Sequence, residues 1–172
     1  MKTTLVRGAL SAVIAASALA AAATAAATTV PVSGTQTVVN EKKGIYKMHG
    51  SLVGDWYGLS LKQQSATPTQ FVASGRERFV GCIDSNRNTA CDAGEASGSI
   101  NFTYLLWVAL NPTTKALLHG ECLHPVSGGT GDFAHAMGVL HMTDTPTRTS
   151  YEGRLTYGAT DAERVPTSAR VC

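Results

Sequence analysis

The stretch SINFTYLLWVAL, residues 99–110, alternates in hydrophobicity along its length. In an extended strand every second side chain lies on the same face, and one face of this strand is entirely apolar. Its members are Ile100, Phe102, Tyr104, Leu106, Val108 and Leu110. Leu105 and Trp107 make the opposite face partly apolar as well, so we expect a strand that is covered on both sides or that lines a cavity.

The residues that follow this strand predict a hairpin. NPTTK, residues 111–115, contains the asparagine and proline typical of a turn, and ALLHGEC, residues 116–122, leads the chain back. Other segments also alternate or cluster apolar residues between turn residues, without helical periodicity. The candidate strands are 44–53, 56–62, 70–82, 98–110, 116–122, 138–143 and 151–157.

Glycine occurs within many of these strands, where it marks the bulges and bends that a sheet needs to close on itself. Short turns join the segments, and no helical pattern of about 10 to 15 residues separates them to support parallel crossovers. The sequence therefore predicts one all-β domain, residues 44–158, whose antiparallel strands close into a barrel.

The N-terminal residues have the order of a secretory signal peptide: Lys2 and Arg7, then an alanine-rich run, then small residues. We expect cleavage near Ala27, so that residues 1–27 are removed and the protein is secreted. The run is too weakly apolar for a membrane span. Residues 28–43 are polar and are expected to form a linker with room for one edge strand, and residues 159–172 a C-terminal tail.

Charge argues against two classes of partner. The chain has 14 Lys and Arg and 12 Asp and Glu, and two of the basic residues lie in the predicted signal peptide. The mature chain is therefore close to neutral and has no run of basic residues. We expect no nucleic-acid partner and no anionic lipid partner.

All four cysteines follow the predicted cleavage site, and an even number of cysteines in an exported chain indicates disulfides. Cys82 and Cys91 flank one polar loop, which favours their pairing. Cys122 would then pair with Cys172 and hold the chain end. A C-terminal cysteine could also stay free or link two chains, so this second pairing is left open.

Residues 84–95, which begin inside the Cys82–Cys91 segment and extend beyond it, have the pattern of a twelve-residue calcium loop. Counted from Asp84, side-chain oxygens fall at positions 1, 3, 5, 9 and 12, and position 7 would use its backbone carbonyl. The expected ligands are Asp84, Asn86, Asn88, Ala90, Asp92 and Glu95. Thr89 stands where such loops have glycine, so we expect weak binding, with a Kd of about 10⁻⁴ to 10⁻³ M. The alternative is a solvated polar loop closed by a disulfide.

A glycine-rich stretch, GGTGDFAHAMG at residues 128–138, predicts a tight turn into a strand, because the lysine and helix of a phosphate loop are missing. HPVSGGTGDFAHAMGVLHMTD, residues 124–144, resembles the corresponding segment of the allene oxide cyclase and dirigent family. GSLVGDWYGLSL, residues 50–61, resembles the first hairpin of bacterial relatives. The resemblance implies an eight-stranded antiparallel barrel with a hydrophobic mouth for small molecules, trimeric in many plant members. It carries over no catalytic residue.

His119 and Glu121 are the candidate catalytic residues. Alternation places both on one face of their strand, and such a pair in a barrel mouth could transfer protons. The alternative is that this face is exposed to solvent, since Leu118, Gly120 and Cys122 occupy the other one. We favour the exposed face, because spacing alone does not bring catalytic groups together.

Three functions are compatible with these patterns. The first is a secreted barrel that binds a small hydrophobic molecule and carries a calcium loop. The second is a cyclase or isomerase that folds a reactive substrate and excludes water, with no organic cofactor. The third is a noncatalytic structural or cell-surface module, whose barrel interior would be filled by side chains. An open cavity would distinguish the first two from the third.

Overall fold

Eight strands account for most of the chain in the computed structural model, which describes residues 26–158. The strands are β1 (Thr28–Asn40), β2 (Ile45–Gly50), β3 (Leu52–Ala66), β4 (Gln70–Ile83), β5 (Ser97–Leu110), β6 (Leu117–Gly131), β7 (Met137–Thr145) and β8 (Arg148–Tyr157). The only helical element in this part of the chain is one 3-10 turn, Glu41–Lys43. Most of the predicted signal peptide and the tail at 159–172 lie outside the described residues.

Each strand pairs antiparallel with the next one, and β1 also pairs with β8. Val32 lies opposite Gly153 in that closing pair, while Gln36 lies opposite Met48 of β2. The predicted all-β fold, a closed eight-stranded antiparallel barrel, is confirmed. Closure leaves no sheet edge open to pair with another chain.

Residues 28–43, expected to be a linker with room for one edge strand, contribute a strand of the barrel wall that is paired on both sides. Most of this segment forms β1, and the barrel therefore begins at Thr28 instead of residue 44. Val32 is buried on the inner face of β1, whereas most of its other side chains are exposed or half-buried. A strand with one wetted face has a polar composition, and this composition made β1 resemble a linker.

One end of the barrel is filled by apolar side chains. The β6–β7 connection turns back on itself through hydrogen bonds from Phe133 N to Thr130 O and from Ala134 N to Gly131 O. Phe133 is thereby placed, fully buried, against Tyr157 with ring centroids 5.8 Å apart. Other fully buried side chains in the core are Leu52, Phe79, Ile100, Leu140 and Leu155. Burial of each of these contributes about 1.5 to 3 kcal/mol, so this end stabilises the fold.

The alternation predicted for residues 99–110 is confirmed on β5. Ile100, Phe102 and Tyr104 are buried inside the barrel. The outer face is not covered within the described residues, because Leu105 is 56% and Trp107 37% exposed. The strand lines a cavity with its inner face alone, and the two outer apolar residues take no part in that cavity.

Gly75 on β4 illustrates why glycine is needed inside the wall. A Cβ atom at this position would overlap the Ser60 carbonyl oxygen and the ring of Tyr104. The missing side chain lets Tyr104, which lies opposite Gly75, lie flat against the inner wall. Among the described residues, no helix is long and apolar enough to cross a membrane.

Candidate functional site

The end of the barrel opposite Phe133 opens into a cavity of about 280 Å³. Its apolar wall is formed by Tyr46, Trp56, Leu61, Tyr104, Leu106 and Met142. Its polar groups are Gln36, Glu77, Cys122, His124, Asp144 and Thr149. Side chains fill the barrel at one end and leave space at the other, so the mouth is the candidate binding site.

The central polar contact of this mouth joins Glu77 of β4 to His124 of β6. Both side chains point inward because they continue the alternation of buried residues, Glu77 before Phe79 and His124 after Cys122. His124 Nε2 lies 2.8 Å from Glu77 Oε2. The histidine side chain is 2% exposed and the glutamate 17%. This is a hydrogen-bonded pair largely removed from water.

The pairing relates the roles of the two imidazole nitrogens. When the Glu77 carboxylate is ionised it only accepts hydrogen bonds, so Nε2 of His124 is then the donor to Glu77. In the neutral ring, Nδ1 is then a hydrogen-bond acceptor. No described residue donates to this buried Nδ1 atom. The site therefore contains a polar atom that lacks the partner which buried polar atoms normally have.

Packing holds the His124 ring in position. Trp56 stacks on Phe102 with centroids 4.8 Å apart, and His124 lies edge-on to Trp56 at 5.4 Å. The Tyr104 ring is tilted against the histidine ring, with centroids 5.8 Å apart. These ring contacts and the burial of His124 favour one orientation of the imidazole, so the Glu77–His124 pair is preorganised.

Cys122 lies beside this pair, with Sγ 3.4 Å from His124 Nε2. Burial raises the pKa of the Cys122 thiol, and the negative charges of Glu77 and Asp144 raise it further. A thiol that stays protonated is a poor nucleophile, so a Cys/His nucleophilic mechanism does not fit this geometry.

Cys122 is a free, buried cysteine among the described residues, and strand alternation turns it into the barrel interior. Its predicted partner Cys172 lies outside the described residues, so that pairing stays a prediction. The other predicted bridge is confirmed: Cys82 and Cys91 form a disulfide with Cα atoms 5.6 Å apart.

Negative charge dominates the electrostatics of the mouth. Burial raises the pKa of Tyr104 to about 12, and Glu77 adds to the shift. Burial also raises the pKa of Tyr46, with further contributions from Glu77, Glu41 and Asp144. Asp144 Oδ1 accepts a hydrogen bond from Thr149 Oγ1 at 2.5 Å.

The predicted catalytic pair lies on the outside of the barrel. His119 Nε2 is 2.7 Å from Glu121 Oε1, and His141 contacts the other carboxylate oxygen. The side chains are 42%, 37% and 40% exposed in the order His119, Glu121 and His141. Partial desolvation acts to raise the pKa of Glu121, but the hydrogen bonds and charge of the two histidines outweigh it and lower that pKa. Sequence reasoning was therefore right to favour an exposed face for His119 and Glu121.

The predicted calcium ligands are gathered in the β4–β5 connection, at the filled end of the barrel. The buried Asp84 accepts hydrogen bonds from Asn88 N at 3.2 Å and Thr89 N at 2.7 Å. Asp92 Oδ2 accepts from the side-chain amides of Asn86 and Asn88. The loop thus curls around its own first carboxylate.

The last predicted ligand, Glu95, closes this loop. Its carboxylate accepts hydrogen bonds from Ser85 N at 2.8 Å and Asp92 N at 3.1 Å. The Asp92 and Ser85 backbone N–H groups lower the pKa of Glu95. In the part of the chain that the structure describes, no three His, Cys, Asp or Glu side chains are arranged as a metal cluster.

Sequence reasoning missed the inner pair, Glu77 and His124. The signal was present in the alternation: Glu77 and Phe79 share a face, and His124 follows Cys122 by two residues. The expected strand ended at residue 122, whereas β6 continues to Gly131. Because the predicted strand ended too early, His124 was not assigned to the barrel wall.

Comparison of the chain with protein-family models, with curated proteins and with solved structures found no match.

Proposed function

We propose that the protein binds a small, largely apolar molecule in the mouth of its barrel. The observation that carries this proposal is the cavity of about 280 Å³ with a buried Glu77–His124 pair on its wall. Pockets for small ligands measure roughly 300 to 1,000 Å³ and combine apolar walls with a few placed polar groups. This cavity lies at the lower end of that scale, which fits a ligand of small size. A purely structural module would have this space filled, as the other end of the barrel is.

The cavity and its ligand can be tested with two tryptophan substitutions on β5. Leu106→Trp adds bulk on the inner face, where Leu106 lines the cavity. Leu105→Trp adds a side chain of the same size on the exposed outer face. Untargeted mass spectrometry of the purified protein should detect a retained small molecule in the wild type and in Leu105→Trp, and none in Leu106→Trp. A ligand retained equally by both variants would contradict binding in the mouth.

A second candidate function is catalysis of a cyclisation or isomerisation in the same cavity. The Glu77–His124 pair favours it, because a buried imidazole oriented by a carboxylate can transfer a proton to or from a bound molecule. The barrel would exclude water and hold the substrate in a reactive shape. The recovered ligand or its precursor should then be converted by the wild type, while His124→Gln should bind it without conversion. Equal conversion by both proteins would exclude this role for His124.

The β4–β5 connection is proposed to bind Ca²⁺ weakly. The donor chemistry fits, since Asp84, Asn86, Asn88, Asp92 and Glu95 supply side-chain oxygens and Ala90 a carbonyl, which are the ligands that Ca²⁺ prefers. The Cys82–Cys91 disulfide restrains one end of this loop, and Thr89 adopts the left-handed φ of 67° at the position where calcium loops place glycine. When bound, the ion would neutralise three neighbouring carboxylates.

Calorimetry with the oxidised protein tests the calcium proposal. Millimolar Ca²⁺ should give a binding heat and a higher Tm in the wild type. Asp84→Ala and Glu95→Ala should abolish both effects. Absence of heat in the wild type, or an unchanged response in the two variants, would show that the loop is held by its own hydrogen bonds alone.

We further propose that the protein works outside the cytoplasm and is related to the allene oxide cyclase and dirigent barrels. The Cys82–Cys91 disulfide supports an oxidising compartment. The resemblance also suggests a trimer, which light scattering on the purified protein would distinguish from a monomer. Secretion is tested by locating the processed chain after expression with its own N-terminus.

A further inference from the structure

We infer that the molecule bound in the barrel mouth carries a positive charge, as an organic ammonium group attached to an apolar body. This inference rests on the proposed function and adds the chemical class of the ligand. It depends on three features of the cavity: its carboxylates, its aromatic rings and an imidazole nitrogen without a partner.

The carboxylates are Glu77 and Asp144, and both line the cavity. Glu77 uses Oε2 for its contact with His124, and Asp144 uses Oδ1 for its contact with Thr149. Within residues 26–158, Glu77 Oε1 and Asp144 Oδ2 accept no hydrogen bond. Each carboxylate therefore keeps one oxygen available for a donor on the ligand.

Positive charge to balance them is scarce in the wall. None of the described residues that line the cavity is a lysine or an arginine. His124 is the one lining residue that could carry a positive charge, and even a charged His124 would leave the pair of carboxylates in excess. The raised pKa values of Tyr46, Tyr104 and Cys122 have Glu77 among their causes, which is the effect expected of a negative field across the mouth.

Aromatic rings form much of the remaining wall. Tyr46, Trp56 and Tyr104 line the cavity together with the carboxylates. The faces of such rings attract cations, by about 0.5 to 2 kcal/mol each when water is displaced. An ammonium group would also supply the N–H that the buried Nδ1 of His124 lacks. A neutral apolar ligand would leave that nitrogen and both free carboxylate oxygens without partners, which is unfavourable in a site it desolvates.

A matched ligand series tests the inference directly. The probes are benzylammonium, whose N–H groups can donate to the free oxygens and to His124 Nδ1, its uncharged isostere ethylbenzene, and the anion phenylacetate. Trp56 lines the cavity and Trp107 is the only other tryptophan, so Trp107→Phe gives a protein whose fluorescence reports on the mouth alone. We expect the cation to bind on the order of tenfold more tightly than the isostere, and the anion most weakly.

Substitutions of the two cavity carboxylates then test whether they cause the preference for the cation. Glu77→Gln and Asp144→Asn should each weaken cation binding by roughly three- to tenfold and leave the isostere unaffected. Asp55→Asn is the matched control, since Asp55 is a carboxylate paired with Lys47 outside the cavity. It should change neither affinity.

The possible results separate the two proposals. If ethylbenzene binds as tightly as the cation, or phenylacetate binds more tightly, the inference is wrong while binding in the mouth stands. If no probe binds at millimolar concentration, binding in the mouth is itself wrong and the inference falls with it. The comparison of the three probes on the Trp107→Phe protein decides this without the carboxylate variants, so a variant that fails to fold does not affect the outcome.

Discussion

Strand β6 presents a histidine–carboxylate contact on each of its two faces. On the inner face His124 pairs with Glu77 at 2.8 Å, and on the outer face His119 pairs with Glu121 at 2.7 Å. The distances are nearly equal, but the inner histidine is 2% exposed and the outer one 42%. The comparison shows that access to water, more than separation, distinguishes a candidate functional pair from a surface ion pair.

The two faces also differ in what surrounds the charged groups. Outside, Glu121 is shared between His119 and His141, and water and salt screen all three. Inside, Glu77 faces aromatic rings and a cavity large enough for a ligand, where charges interact more strongly. Binding and chemistry are therefore expected inside, although sequence patterns alone drew attention to the outer pair.

The largest expected difference follows from removing one carboxylate on each face. Glu77→Ala should lower the free energy of unfolding by about 3 kcal/mol, because it leaves the buried Nε2–H of His124 without an acceptor. Glu121→Ala should change it by less than about 1 kcal/mol, since exposed ion pairs contribute little. Urea denaturation of both variants provides the measurement. Equal losses would show that the two faces do not differ energetically.

Glycine substitutions extend the comparison to the barrel wall. Gly75→Ala should destabilise the fold by about 2 kcal/mol, because its Cβ would overlap the Ser60 carbonyl and the Tyr104 ring. Gly58→Ala is the control, since the nearest atom to its Cβ, the Gly44 carbonyl oxygen, would lie at 3.7 Å. That change should alter stability by less than about 0.5 kcal/mol. Thermal unfolding of both variants tests this, and a larger loss for Gly58→Ala would contradict it.

Alkaline pH should destabilise the folded barrel through its buried tyrosines. Burial raises the pKa of Tyr151 to about 12 from 10.0 in the unfolded chain, so the folded state favours the protonated phenol. The stabilisation is complete below about pH 10 and is lost as the pH rises from about 10 to 12, with a loss of about 1.4 kcal/mol at pH 11. Tyr151→Phe should lack this part of the alkaline loss in urea denaturation.

Tyr104 provides a second test of the buried phenols. Glu77 contributes to the raised pKa of Tyr104, whereas burial alone raises the pKa of Tyr151. Glu77→Gln should therefore lower the pKa of Tyr104 and leave that of Tyr151 in place. Ultraviolet titration of the phenols in Tyr151→Phe and Tyr104→Phe backgrounds separates the two groups. A shift of equal size in both tyrosines would contradict a local field from Glu77.

The smallest effect is expected at Glu121. Its lowered pKa means that its stabilisation is present above the ordinary carboxyl value of 4.5 and is lost as the pH falls through the folded-state value. His141→Gln should raise the pKa of Glu121, and about 1 M NaCl should do the same in the wild type by screening. Carbon-detected NMR titration of the carboxyl group measures both. A pKa that does not respond to salt would indicate a desolvated pair.

Much of the fold could be predicted because local patterns are periodic. The alternation at Ile100, Phe102 and Tyr104 predicted the inner face of β5, and NPTTK predicted the hairpin that joins β5 to β6. The same reasoning failed at β1, where pairing with β2 and β8 supplies the order that the polar sequence does not indicate.

The sequence by itself determined the all-β character, the inward and outward faces of the clearest strand, the Cys82–Cys91 pairing and the donor-rich loop at residues 84–95. These properties depend on near neighbours along the chain, so spacing and residue type are sufficient to predict them. The tertiary structure decided that β1 closes the barrel, that one end is filled and the other open, and that Glu77 meets His124 across 47 residues of chain. The physical reason is that barrel closure brings distant strands together around one interior, and only that closure determines which polar side chains lose contact with water.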